Sequence, residues 1–145
     1  MVLGGDRNYH ELYIQLAGRG QRVAAGDLRA ALEKSATLLR TLLRYVHAFL
    51  EQMTRTAVAN GRSTIEERLA RWLLMAADRA DGPDLPLTHE FLSMMLGVQR
   101  PGVTVAMQDL ERRGVLGRRR GVVTILDRQA LERLSNGTYI SADYK

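Results

Sequence analysis

The strongest constraint on the fold is the spacing of apolar residues and glycines between Leu87 and Leu126, LTHEFLSMMLGVQRPGVTVAMQDLERRGVLGRRRGVVTIL. Thr88 can cap a helix that carries Phe91, Leu92 and Met95 on one side, and Gly97 supplies a left-handed residue to stop it. A second helix follows from Arg100 or Pro101 to Arg113, because Val103, Met107 and Leu110 fall at the i, i+4, i+7 spacing of one buried face. Gly114 closes it. Val115 to Arg119 and Val122 to Leu126 then flank Arg120-Gly121, the pattern of a two-stranded hairpin with arginines at its tip. Two short helices, a tight turn and a basic hairpin predict a winged helix-turn-helix.

A protruding helix about 10 to 12 Å across fits the major groove of DNA, with flanking elements resting on the phosphates. The charge agrees with that partner. Within this stretch Arg100, Arg112, Arg113, Arg118, Arg119 and Arg120 stand against Glu90, Asp109 and Glu111, an excess of positive charge within a chain of net charge +5.

These residues resemble the DNA-binding domain of the Crp/Fnr family of bacterial regulators. The stretch follows the family pattern of Leu-Thr at the first helix, Gly97 at the turn, an arginine early in the second helix, Val103 three positions later, and Leu110-Glu111 before the Gly114 that leads into the wing. The preceding TIEERLARWLLMAADR is similar to the family's linking helix, so the resemblance covers the chain from about Asp27 onward. It implies a mainly α fold: a long dimerisation helix, then a winged helix-turn-helix with a small β-hairpin wing. It further implies residues 1–26 as a remnant of a cyclic-nucleotide-binding-like barrel, 27–61 as linker and dimerisation helix, and 62–145 as the DNA-binding domain. The barrel's phosphate-cradling motif is missing, so the chain looks truncated, and no small-molecule effector or cofactor is expected. Double-stranded DNA and a second copy of the chain are the implied partners, with RNA polymerase as a further one.

Length and composition agree with a small protein. The 145 residues suffice for one domain plus an extended dimerisation element. No apolar run approaches the roughly 18 residues of a membrane helix, and the start MVLGGDRNYH lacks a signal peptide's layout, so the expected location is cytoplasmic. The absence of cysteine removes disulfides, thiolate nucleophiles and thiolate-held iron-sulfur clusters together. Of the 21 basic residues only Lys34 and Lys145 are lysines. The planar arginine fork suits phosphate and guanine edges, while a GC-rich genome would give the same bias.

Taken in order, Tyr13 to Val23 around Gly18-Arg19-Gly20 reads as a hairpin with no sheet to join, and Met1 to about Tyr9 is expected to be poorly ordered. Asp27 can cap a short helix through Lys34, and Ser35 can start a long one reaching Asn60. Leu39, Val46, Met53 and Asn60 at a, with Leu42, Phe49 and Thr56 at d, form a coiled-coil seam that Leu43, Leu50 and Ala57 widen. A second copy is the symmetric way to bury this stripe; packing on the missing barrel is the alternative. Asn60-Gly61 is expected to break the helix, and Ser63-Thr64-Ile65-Glu66 to open another as a capping box. Ile65, Leu69, Trp72, Leu73 and Ala76 then share a core face. Leu85-Pro86-Leu87 is a candidate edge strand beside the wing. Asp127 can cap a last helix, Arg128 to Leu134, ended by Asn136-Gly137, with a loose tail from Thr138.

The candidate DNA contacts divide by chemistry. Arg100 falls where the family has an arginine that reaches a guanine edge, although Pro101 pushes it toward a capping position and a solvated arginine is the plainer reading. Where relatives carry an acidic and a second basic reader, this chain has Pro101 and Val105, so those contacts do not carry over. Val105 can touch a thymine methyl; Gln99, Thr104 and Gln108 are polar readers; Gly102 lies on the same helix. Thr88 and His89 at a helix start can hold a phosphate, though capping alone accounts for Thr88. Arg118, Arg119 and Arg120 are expected phosphate contacts, or else a solvated turn. His10, His47 and His89 are too scattered for a metal or catalytic site, so no enzyme is expected. The rival reading is a dimeric interaction fragment that forms heterodimers with a full-length relative.

Overall fold

A computed structural model describes residues 14–15, 17–80 and 82–141. They fall into two compact units, one ending at Leu50 and the other beginning at Glu51. In the first unit, residues 17–24 are exposed and without regular secondary structure. The hairpin expected from Tyr13 to Val23 is therefore not formed by its described part, as two strands with no third partner and no helix to pack on gain too little. Tyr13, Leu16 and the segment from Met1 to Tyr9 lie outside the described residues.

Helix α1 (Ala25–Lys34) begins two residues before Asp27, with Ala24 as a cap that contributes no side-chain bond. Asp27 stands instead in the first turn, where its charge complements the helix dipole. Ser35 does cap the long helix α2 (Ala36–Arg62), its Oγ accepting from the Leu38 amide at 3.2 Å. That helix passes through Asn60-Gly61 without breaking. One glycine in a last turn costs only about 1 kcal/mol, and Ala59 in the same turn is buried.

The change of direction comes at Thr64, whose extended backbone starts helix α3 (Ile65–Ala77). The capping box is displaced by one residue from the expected Ser63–Glu66 pair. The Thr64 side chain accepts from the Glu67 amide at 3.2 Å while Glu67 Oε2 accepts from the Thr64 amide at 2.7 Å. That backbone bond, with Asn136 and Thr64 side chains adding to it, holds the Glu67 pKa below the usual carboxylate value. The cap is therefore complete at neutral pH and weakens as the pH falls through the carboxylate range. Thr64→Ala should cost about 1 kcal/mol, read as a lower urea midpoint with unchanged slope; no shift would show that the cap does not hold the helix start.

The rest of the unit packs around α3. Leu69, Leu73 and Leu74 are fully buried, whereas Ile65 and Trp72 are half-buried, with Trp72 edge-on to Phe91 at 6.0 Å. Sequence spacing assigned one face to the core, yet Ala70 and Leu74 are buried too, because α3 is flanked by several helices. Strand β1 (Asp84–Leu85) begins one residue earlier than the expected Leu85-Pro86-Leu87 and stops before Pro86. Helix α4 (His89–Leu96) is capped by Thr88, which accepts from the Phe91 amide at 3.1 Å, and stopped by Gly97 at φ 62°. Leu92 and Leu96 are its buried anchors.

Helix α5 (Arg100–Arg112) has Gln99 as its cap residue. Arg100 is thus the first helical residue and not the cap: with Pro101 in the first turn, where no amide bond is lost, the helix tolerates it. Val103, Met107 and Leu110 are fully buried, as their spacing predicts. Strands β2 (Leu116–Arg119) and β3 (Val122–Ile125) pair antiparallel, Arg119 against Val122, joined by Arg120-Gly121 with Gly121 at φ 73°. The sheet order is β1-β3-β2. Helix α6 (Arg128–Leu134) is capped by Asp127 and buries Leu131. The tail is not loose at Thr138 and Tyr139. Buried Arg71 donates from Nε to the Thr138 carbonyl at 3.0 Å, and the Tyr139 hydroxyl donates to Asp78 at 2.8 Å while accepting from Arg128 at 2.6 Å.

Candidate nucleic-acid interface

Helix α5 has two unlike sides. Val103, Ala106, Met107 and Leu110 are buried, while Gln99, Arg100 and Gln108 are exposed and Val105 is 66% exposed. An isolated exposed valine means little by itself, but here it lies among polar side chains on the outer face of a helix whose inner face is sealed. Beside that face opens a cleft of about 670 Å³ lined by Leu87, Thr88, His89 and Glu90 of the α4 start, Arg100, and the wing residues Arg118 to Gly121. Four arginines against one glutamate make it cationic. Its shape follows from local rules: the Thr88 cap orients the α4 N-terminus, Pro101 admits Arg100 to the first turn of α5, and the two-residue turn carries Arg120 at its tip.

The strand alternation separates the three wing arginines. Arg118 is registered against buried Val123 and reaches over the helices, its Nε 3.3 Å from Glu111 and its Nη1 2.9 Å from His89 Nε2. Arg119 lies on the opposite face and pairs with Asp84, which also accepts from Thr124 at 2.6 Å. Arg120 has no ion pair among the described residues. Arg100 is 4.0 Å from Glu90, with both side chains exposed, a contact worth about 0 to 1 kcal/mol.

Two sequence candidates stand differently from expectation. Both ring nitrogens of His89 are engaged, Nδ1 with Thr104 Oγ1 at 3.0 Å and Nε2 with Arg118, where a phosphate had been expected. Burial first, then Arg118, with Arg100 weaker than Glu111's opposing pull, leaves the imidazole pKa below its ordinary value. Gly102 faces inward: a Cβ there would stand 2.8 Å from Ile65 Cδ1, so the glycine serves the close approach of α5 to α3. Thr104 is half-buried. Sequence reasoning missed the acidic residues at the edge of the site. Asp109 pairs with Arg112 at 2.6 Å and Arg113 at 3.1 Å, an i, i+3 and i, i+4 pattern that was legible. The roles of Glu111 and Asp84 depend on tertiary contact and carried no local signal.

On α2, Leu39, Phe49, Leu50, Met53 and Ala57 of the expected seam are exposed, while Leu42, Val46 and Thr56 are half-buried. The Thr56 hydroxyl donates to the Gln52 carbonyl of its own helix at 2.8 Å. Among the described residues no helix is long and apolar enough to cross a membrane, and no cluster of His, Asp and Glu could hold a metal ion.

Comparison with known proteins agrees with this architecture. The Crp-like helix-turn-helix domain matches residues 67–134. No curated protein matches the sequence. Among solved structures, FixK2 from Bradyrhizobium japonicum is similar at 25% identity and a TM-score of 0.69, covering 77% of this chain and 59% of its own. A CooA mutant from Carboxydothermus hydrogenoformans follows at 21% and 0.64, covering 76% of this chain and 54% of its own. A CRP-family transcriptional regulator from Thermus thermophilus is similar at 23% and 0.61, with 74% and 58% covered. The chain thus spans little more than half the length of these relatives. Residues 67–134 thus form a Crp-like helix-turn-helix domain, set in a fold that the chain shares with Crp/Fnr-type structures.

Proposed function

We propose that the chain is a DNA-binding transcription regulator that acts as a homodimer, laying α5 in the major groove while the wing rests on neighbouring phosphates. The observation that carries this reading is the sidedness of α5: a sealed apolar underside, an open polar face, and an arginine-lined cleft along its edge. Gln99, Arg100, Val105 and Gln108 are the side chains free to meet base edges, with Arg100 suited to guanine and Val105 to a thymine methyl. Thr88 and the wing arginines Arg118, Arg119 and Arg120, which line the cleft together, would contact phosphates. The regulators whose fold the chain shares support the same reading.

Dimerisation is supported by the apolar stripe of α2. Leu39, Phe49, Leu50 and Met53 recur at heptad spacing and are exposed in the single chain. Burying each large side chain is worth about 1.5 to 3 kcal/mol, and a two-fold partner covers the same stripe on both copies. Two heads so joined would address half-sites about 34 Å apart.

Selection from random duplexes by gel shift at two salt concentrations tests the reading: retained duplexes should share a two-fold motif and weaken steeply with salt. Absence of any retained duplex at low salt would overturn it. Arg100→Ala should change the preferred base at one position per half-site, with discrimination falling by about 1 to 3 kcal/mol. Equal weakening on every duplex would make Arg100 a phosphate contact instead.

A further inference from the structure

His89 stands between the wing and the recognition helix, and the chemistry of its neighbours settles its protonation. A guanidinium can only donate, so His89 Nε2 accepts from Arg118 Nη1 at 2.9 Å. The single ring proton is then on Nδ1, which donates to Thr104 Oγ1 at 3.0 Å. Arg118 is held from its other side by Glu111, 3.3 Å from its Nε. Thr104 of α5, His89 of α4 and Arg118 and Glu111 of the wing and α5 thereby form one chain of contacts across three elements.

We propose that neutral His89 is a positioning residue for DNA recognition, fixing wing Arg118 and recognition-helix Thr104 relative to each other so that both meet the duplex as one preset surface. This rests on the DNA-binding reading above and assigns His89 a role distinct from touching phosphate. An arginine held in place before binding loses less freedom on binding than one that must be ordered by the ligand. A second ring proton would turn Nε2 into a donor, end the bond from Arg118 and place two cations side by side. Arg118 from β2 and Arg100 from α5 oppose that proton, Glu111 from α5 favours it, and partial burial opposes it further. The unfolded chain therefore takes the proton more readily than the folded one. The contribution of the neutral ring is complete above the ordinary imidazole pKa and is lost as pH falls through the lower folded value.

The test compares the wild-type chain with His89→Gln, whose amide can accept from Arg118 and donate to Thr104 without titrating, and with His89→Arg, which keeps a cation but cannot accept. Duplex affinity of the wild type relative to His89→Gln should fall steadily as the pH drops from about 7.5 to about 5, by up to about tenfold, and His89→Arg should bind about tenfold more weakly than His89→Gln throughout. Nitrogen NMR of the DNA-free protein should show the proton on Nδ1 at neutral pH. Wild-type binding that tightens in acid relative to His89→Gln, together with full affinity in His89→Arg, would make His89 a phosphate contact and overturn the proposal. A proton on Nε2 would overturn it too. The expected tautomer with a flat relative pH profile would overturn the proposal while leaving the DNA-binding reading intact. Loss of duplex binding by all three proteins would overturn both.

Discussion

Leu110→Ala is expected to destabilise the second unit by about 2 to 5 kcal/mol. Leu110 is fully buried beneath α5, and its carbonyl accepts from the Val115 amide at 3.0 Å to lead the chain into the wing. Truncation removes apolar contact and leaves a cavity that neighbours close only in part. Small domains have only about 5 to 15 kcal/mol in total, so the loss is a large fraction of the whole. With a urea slope of about 1 to 3 kcal/mol per molar, the midpoint should fall by about 1 M or more. Val105→Ala, five residues earlier and on the exposed face, should change stability by no more than about 0.5 kcal/mol. Equal losses at the two positions would mean that α5 is not seated as described, and the assignment of its outer face to DNA would fall with it.

Replacing Arg118, Arg119 and Arg120 together by alanine should weaken binding to every duplex by roughly a hundredfold near 0.15 M salt, because each phosphate contact contributes about 0.9 to the logarithmic salt slope. The loss should be blind to sequence, in contrast to Arg100→Ala. Its components are unequal. Arg118 and Arg119 already face Glu111 and Asp84, so their removal also uncovers carboxylates toward the phosphates. Arg120 lies at the turn without an ion pair among the described residues, so Arg120→Ala alone should lower the slope by about 0.9 and disturb the wing least. An unchanged slope in the triple variant would remove the wing from the interface.

The chain itself determined where elements start and stop wherever the controlling chemistry lies within one or two turns. Thr88 and Asp127 cap as their side chains require, Gly97, Gly114 and Gly121 take positive φ, and Val103, Met107 and Leu110 are buried at their predicted spacing. The local errors were competitions between near-equal neighbours: Thr64 with Glu67 won over Ser63 with Glu66, and α2 ran past Asn60-Gly61 because Ala59 is packed. What only the tertiary structure decided involves residues far apart in sequence. Arg118 meets His89 across 29 positions and Arg119 meets Asp84 across 35, so which arginines are held and which are open depends on the faces that packing brings together. Gly102 behaves alike, being on the DNA-bearing helix by sequence but against Ile65 in space. Caps, turns and periodicity act over about four residues, and the pairing of charges acts through space, so the helix-turn-helix was visible in the chain and the wiring of its arginines was not.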